Sequence, residues 1–375
     1  MKKIIALILS FALIACMLCG CGNQSDNQQD MPSATVAAEP AEAKDYTLAD
    51  DTTGLKIQVD DPIELIFACN ATITPGTSTM GDALLKYFDE IKTWTDGQVV
   101  IDMFDGGQLG ADLEMVASNQ SGVVDIYWSN PANLTGIIPE LAVFDISGLY
   151  DSPAQCNYVI KNGFMDLIQP YCNKANVQMI SMFSPVARQL SSNKPVNSLA
   201  DLQGQKIRVQ ENIYHQAFWN ALGCNAVPLS MSDLYISLQQ NMIDGCENPW
   251  GSIMANKIYE VQQYYVQTDA MMFVHTFTMN LAKYNSLTSQ QKHALEQCFY
   301  SIELYNMEHA AADDDVVKEN LVSLYDKTVS DCPQDIKAAY AAATQAVVDL
   351  MKEKLDPAYV DSYIDTVNAA KASMG

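Results

Sequence analysis

Only two of the 21 basic side chains in this chain are arginines, Arg188 in SPVARQLSSNKPV and Arg208 in KIRVQENIYHQAFWNALG. Lysine serves for solubility and for most surface ion pairs, and elsewhere the chain uses lysine for both. What lysine lacks is a planar fork of N–H donors that matches the two oxygens of a carboxylate. Alternation along KIRVQ places Ile207 and Val209 on one strand face and Arg208 on the other. Two arginines confined to one short region therefore point to recognition of an organic anion. The plainer alternative is a pair of surface arginines facing some of the 45 acidic residues.

Other chemistry is thinly represented. His215, His275, His293 and His309 form no HExxH, and the chain contains no GxSxG, no phosphate-cradling P-loop and no GxGxxG. His215, beside Tyr214 on an expected helix, reads as a packed or surface histidine. Asp313, Asp314 and Asp315 are consecutive, so on a helix they fan out over different faces and read as a solvated charge run rather than a metal site. The expectation is a binding protein with no catalytic group, no metal and no cofactor. Turnover of a bound acid would revive an enzyme.

The elements that must position the arginines are legible as periodic patterns. Lys2 and Lys3 precede the apolar run IIALILSFALIAC, the order of a secretory signal and too short for a typical membrane anchor. Leu18-Cys19-Gly20-Cys21 resembles a bacterial lipobox with Cys21 as the lipidated residue, while Leu13-Ile14-Ala15-Cys16 competes. Residues 1–20 are thus expected to be a lipoprotein signal peptide, and 21–60, poor in large apolar groups, a disordered tether. Cleavage after Gly20 leaves 19 basic against 45 acidic residues, a charge of about −26. That charge argues against nucleic acid or anionic lipid as partner. Seven cysteines remain after Cys21, without metal spacing and odd in number, which suits small core residues.

Folded structure is expected to begin near Ile63, in the strand IELIFA. TMGDALLKYFDEIKTWT carries a helical apolar stripe at Met80, Leu84, Tyr87, Phe88, Ile91 and Trp94. The strand QVVIDMF, a short helix in GADLEMVASNQSG and the strand VVDIYW follow, an α/β order with a partly parallel sheet. KIRVQ, the helix ending at Gly223, NAVPL and MIDGCE repeat that alternation. Ser230 and Asp233 read as a capping box, and Asn248-Pro249 as an N-cap with proline at the first helical position, opening a helix through Tyr259. The segment from Ser289 to Lys327 is expected to form one long helix.

KIRVQENIYHQAFWNALGCNAVPLSMSDLYISLQQNMIDGCENP resembles the signature of solute-binding subunits of TRAP (tripartite ATP-independent periplasmic) transporters. ARQLSSNKPVNSLADLQGQKIRV, FDGGQLGADLEM and IIPELAVFDISGLYDS are similar to further segments of that family. The chain departs from it at Leu113, Met231 and Cys246. The resemblance implies a two-lobed, periplasmic-binding-protein-like α/β fold of type II, with hinge strands and a long domain-spanning helix. Lobe I would comprise 61–185 plus about 271–313, and lobe II 186–270 plus about 314–375. It also implies that Arg208 pairs with the ligand carboxylate, that Arg188 and Asn248 contact the ligand, and that Trp128, Asn70 and Met231 line the site. The implied partners are a small organic acid and the membrane permease of a TRAP transporter. A ligand-sensing receptor on the same fold is the alternative.

Overall fold

The computed structural model describes residue 52 and residues 54–374. The signal segment, Cys16, Cys21 and most of the expected tether lie outside the described residues. Order begins ahead of Ile63: the Ile57 N–H bonds the Trp94 carbonyl at 2.9 Å, and Ile57 and Val59 are buried. Two apolar side chains at alternate positions are enough to dock this segment on the nearby core.

One nine-stranded sheet organises the chain. Strands β1 (Ile63–Ala68), β2 (Val99–Phe104) and β3 (Ile126–Ser129) form its first end, all parallel. At the other end β5 (Lys206–Val209) lies parallel to β6 (Asn225–Pro228) and to β7 (Gly245–Asn248). Two long antiparallel strands, β4 (Val177–Ser192) and β8 (Tyr264–Asn280), join the ends. β8 pairs with β3 through residues 276–279, whereas β4 pairs with β7 through residues 189–192. The β4–β8 register shifts three times between Met179 and Leu190. Such shifts bend and twist a ribbon locally, as a connection between two sheet ends requires. A short ninth strand, β9 (Thr328–Asp331), adds to β8.

Helices cover the sheet. All six residues of the expected stripe are buried on α1 (Thr79–Trp94), whose N-cap Ser78 accepts the Gly81 N–H at 3.1 Å. Next come α2 (Asp112–Ser121), α3 (Pro131–Leu134), α4 (Pro153–Val159) and α5 (Met165–Lys174). The second half adds α6 (Ile213–Ala221), α7 (Leu234–Gln239), α8 (Trp250–Ala255) and α9 (Leu281–Ser286). The expected long helix is α10, Ser289–Ser323, 35 residues and so about 52 Å long. Leu295, Phe299 and Ile302 join the core around α1, and Leu321 joins a separate cluster with Trp250 and Tyr265. One rigid element thereby spans both ends of the sheet.

Helices α11 (Gln334–Lys354) and α12 (Pro357–Met374) close the chain. α11 packs against α6, but α12 packs against α4, with Tyr363 edge-on to Phe144 and Phe164. Val360, Tyr363 and Val367 of α12 are buried in a core cluster that holds Phe144 and Phe164 as well as Ile207 and Phe218.

Two local expectations also differ. Ser230 does not cap α7: its hydroxyl bonds the Asp233 carboxylate at 2.8 Å, and α7 starts at Leu234 without a side-chain cap. Asn248 does not cap α8, because Pro249 holds the N-cap position and Asn248 ends β7; that helix stops at Ala255, with a separate turn at Ile258–Glu260. The seven cysteines of the described region are free and buried.

Candidate ligand-binding site

Arg208 lies in the middle of three strands, in register with Val227 of β6 and Cys246 of β7. Its neighbours Ile207 and Val209 are fully buried on the opposite face, which fixes where the arginine must point. Only 3 % of Arg208 is exposed. Its Nε donates to the Leu229 carbonyl at 2.8 Å, and no carboxylate among the described residues lies within ion-pair distance. Burial is the largest influence on its pKa and lowers it from the ordinary value, with Arg188 acting the same way.

Arg188, on β4, is equally buried but paired. Its Nε donates to the Glu247 carboxylate, one Nη2–H reaches the Glu247 carbonyl at 2.7 Å, and the other contact is Asn248 Oδ1 at 3.5 Å. The guanidinium also sits 5.3 Å from the centroid of Phe273. Behind it the network continues. His215 on α6 bridges Glu247 Oε1 at 3.4 Å and Asp145 Oδ1 at 3.1 Å, and Asn212 donates to the other oxygen of Asp145 at 2.9 Å. Both partners of the imidazole are carboxylates, which accept, so both ring nitrogens must carry protons. Burial lowers the His215 pKa, but these two hydrogen bonds outweigh it and raise the net value. Arg188 and His215 thus balance Glu247 and Asp145, and the charge of Arg208 is left over.

The two arginines line one cavity of about 680 Å³, counted to its open mouth. Asn248, Trp128, Asn70 and Met231 line the same cavity, so all six residues singled out in the sequence converge there. Asn70 is oriented by Asp112, to which it donates at 3.0 Å, and Asp112 is held in turn by the Tyr127 hydroxyl at 2.7 Å. The GGQLG turn makes room for it: a Cβ on Gly107, where φ is +72°, would stand 2.8 Å from Asn70 Oδ1. Trp128 stacks on Phe277 and donates its indole N–H to His275 Nδ1 at 3.0 Å.

Sequence reasoning missed Glu247, Asp145 and Phe273, and gave His215 no role. Glu247 stands inside the segment MIDGCENP, part of the stretch that resembles the TRAP signature, which was the available signal for it. Nothing local marks Asp145. No group of His, Cys, Asp and Glu suited to a metal occurs among the described residues. No helix among them is long and apolar enough to cross a membrane.

Comparison with known proteins agrees with this geometry. Residues 70–354 match the family described as bacterial extracellular solute-binding protein, family 7. A solute-binding protein of Roseobacter denitrificans is 28 % identical over 280 residues, covering 73 % of this chain and 84 % of that relative. Among solved structures, the sugar acid binding protein of Advenella mimigardefordensis in complex with galactonate superposes with a TM-score of 0.77. It is 21 % identical and covers 83 % of this chain and 99 % of that one. A TRAP periplasmic solute-binding protein of Desulfovibrio salexigens with bound orotic acid gives 0.76 at 22 % identity, with the same coverage. The two-lobed α/β fold and the TRAP resemblance are both borne out, and the chain belongs to family 7 of the bacterial extracellular solute-binding proteins.

Proposed function

We propose that this protein captures a small organic acid in the cavity between Arg208 and Trp128 and delivers it, unchanged, to a TRAP membrane transporter. The observation that carries this reading is Arg208: a buried guanidinium without a carboxylate partner, facing an open cavity. A buried charge of this kind is costly until something neutralises it, so a ligand carboxylate has a large free-energy gain waiting there. Arg188, whose own charge is already balanced, orients the ligand rather than neutralising it. Relatives and neighbours support the class. A similar protein of Escherichia coli is named for binding 2,3-diketo-L-gulonate, and solved neighbours hold glucuronate, galacturonate and succinate.

Delivery requires an open and a closed state that differ in their contacts with ligand. The strands joining the sheet ends, β4 and β8, serve as the hinge, with lobe I built on 61–185 plus about 271–313 and lobe II on 186–270 plus about 314–375. Closure removes water from around Arg208 and strengthens its pairing with the acid. The same reading places the protein outside the cytoplasm, held to the membrane by lipid on Cys21, with no catalytic role for any cavity residue.

Native mass spectrometry of freshly purified protein weighs any co-purified ligand, and calorimetry with that ligand compares wild type with Arg208→Ala. The expected loss is about 3 kcal/mol or more, at least a hundredfold in affinity. A folded Arg208→Ala protein that binds its ligand as tightly as wild type removes the assignment.

A further inference from the structure

The cavity does not end at Trp128 and Phe273. A second space, of about 520 Å³, shares Ala71, Trp128, Ser252, Asn256 and Phe273 with the first and runs on to helix α10. Its walls are mainly apolar, from Met80, Pro185, Val186, Pro249 and Ala310. Hydroxyls of Thr72, Ser78, Thr79 and Ser252 and the amide of Asn256 also reach that surface, and with them stand His275, Asn306 and Asp314. None belongs to the arginine network.

The last three leave hydrogen-bonding capacity unused. His275 is 3 % exposed, and its Nδ1 accepts the Trp128 indole N–H, so the ring proton is on Nε2. That Nε2–H has no acceptor among the described residues. Burial pushes the His275 pKa down to about 3, which keeps the ring neutral. Asn306, 1 % exposed, uses only its Nδ2, on the Ile302 carbonyl and near Met80 Sδ. Asp314 is half-buried and makes no hydrogen bond or ion pair among the described residues. Its neighbour Asp313 takes the Thr79 hydroxyl at 2.5 Å, and Lys318 is drawn to Asp315 at 2.6 Å. Burial raises the Asp314 carboxyl most; Lys318 lowers it, while Asp313, Asp315 and Asp269 on β8 raise it, to about 7. Apart from Asp314 and neutral His275, every residue lining this second space is uncharged.

We infer that this second space is a subsite for the far end of the bound acid, and that Asp314 makes it select a hydroxyl-bearing end over a second carboxylate. The inference rests on the carboxylate reading of Arg208, which sets the near end. A hydroxyl both accepts and donates, so a hydroxyl-bearing end can accept from His275 Nε2–H and donate to Asp314, two groups on the wall of one space. A carboxylate can only accept, and it would face an acidic side chain in a chain already strongly negative. The apolar walls suit the carbon backbone between the two ends. The selected class is therefore a hydroxylated monocarboxylate, and dicarboxylates are disfavoured until Asp314 is protonated.

The test uses two pairs of probes matched except at the far end: gluconate with glucarate, and 4-hydroxybutyrate with succinate. Calorimetric titration of the wild-type protein at about pH 8 should show the monoacid of a pair bound roughly tenfold tighter than its diacid. That ratio should narrow at about pH 6, where Asp314 carries a proton. In Asp314→Asn it should fall to within about twofold and lose its pH dependence. Diacids bound as well as monoacids by wild type at the higher pH overturn the subsite, as does an unchanged ratio in Asp314→Asn. So does failure of all four probes to bind. Arg208→Ala separates the two readings. If it abolishes binding while diacids and monoacids bind wild type equally, the subsite alone fails. If it leaves the affinities unchanged, the carboxylate site fails and the subsite with it.

Discussion

Arg188 gives its Nε–H to the Glu247 carboxylate and an Nη2–H to the Glu247 carbonyl at 2.7 Å, so the second arginine of the cavity is neutralised by the protein itself. Arg208, on β5 with β7 lying between it and β4, has no such partner. Two residues of one type, equally buried in one cavity, thereby acquire different tasks. In the proposed function Arg208 attracts the acid, and Arg188 orients it.

That division predicts opposite outcomes for two substitutions. Arg208→Ala should leave the ligand-free protein within about 1 kcal/mol of wild type in urea denaturation, because it removes a buried charge that nothing compensates, while ligand no longer raises the midpoint. Arg208→Lys should restore only part of the affinity, since the charge returns without the fork. A large loss of stability in ligand-free Arg208→Ala would show that Arg208 is structural.

Glu247→Gln should do the reverse. It keeps the shape but leaves Arg188 and His215 without their shared counter-charge, and should cost about 3 kcal/mol of folding stability. Equilibrium denaturation measures it, and a change under about 1 kcal/mol would sink the idea that the network is coupled.

The same network predicts a stability profile with two limbs. The folded pKa of His215 stands above its ordinary 6.5, so its contribution is complete below that value and declines as pH rises through the folded one. Glu247 behaves oppositely. Burial raises its pKa, but Arg188 and then His215 prevail and hold it at about 2, so its contribution is present above the ordinary 4.5 and is lost as pH falls toward 2. Stability should therefore be greatest between roughly pH 5 and 6.5. His215→Gln should flatten the alkaline limb and leave a smaller acid limb, held by Arg188 alone, which thermal melts across pH will report.

Gly245, at the start of β7, has no room for a side chain: a Cβ would stand 2.1 Å from the Ser191 carbonyl oxygen of β4. Gly245→Ala must push β7 away from β4, and with it Glu247 and Asn248. Overpacking of this kind costs about 3 kcal/mol, and ligand affinity should fall with stability because Asn248 of the cavity and the Glu247 partner of Arg188 both move. Wild-type affinity in that variant would mean that β7 tolerates displacement.

Much of this arrangement was visible as periodicity and residue choice. The apolar stripe of α1, the alternation that turns Arg208 away from Ile207 and Val209, and the uninterrupted helix α10 are local properties, each set by repeats of two or of 3.6 residues. Confinement of arginine to positions 188 and 208 marked two residues that line one cavity, and the motifs around KIRV and ENP identified the family. Charge balance is a different kind of property. Glu247 lies 59 residues from Arg188, and Asp145 lies 70 from His215, so no spacing in the chain announces that these groups meet. Asp314 looked like one of three solvated acids, and only the packing of α10 beside the cavity sets it apart from its neighbours. The sequence by itself determined which residue types were available and which strand faces they would occupy. Tertiary structure alone decided which charges cancel, because electrostatic energy depends on separation and burial, and both are set by how distant segments fold together.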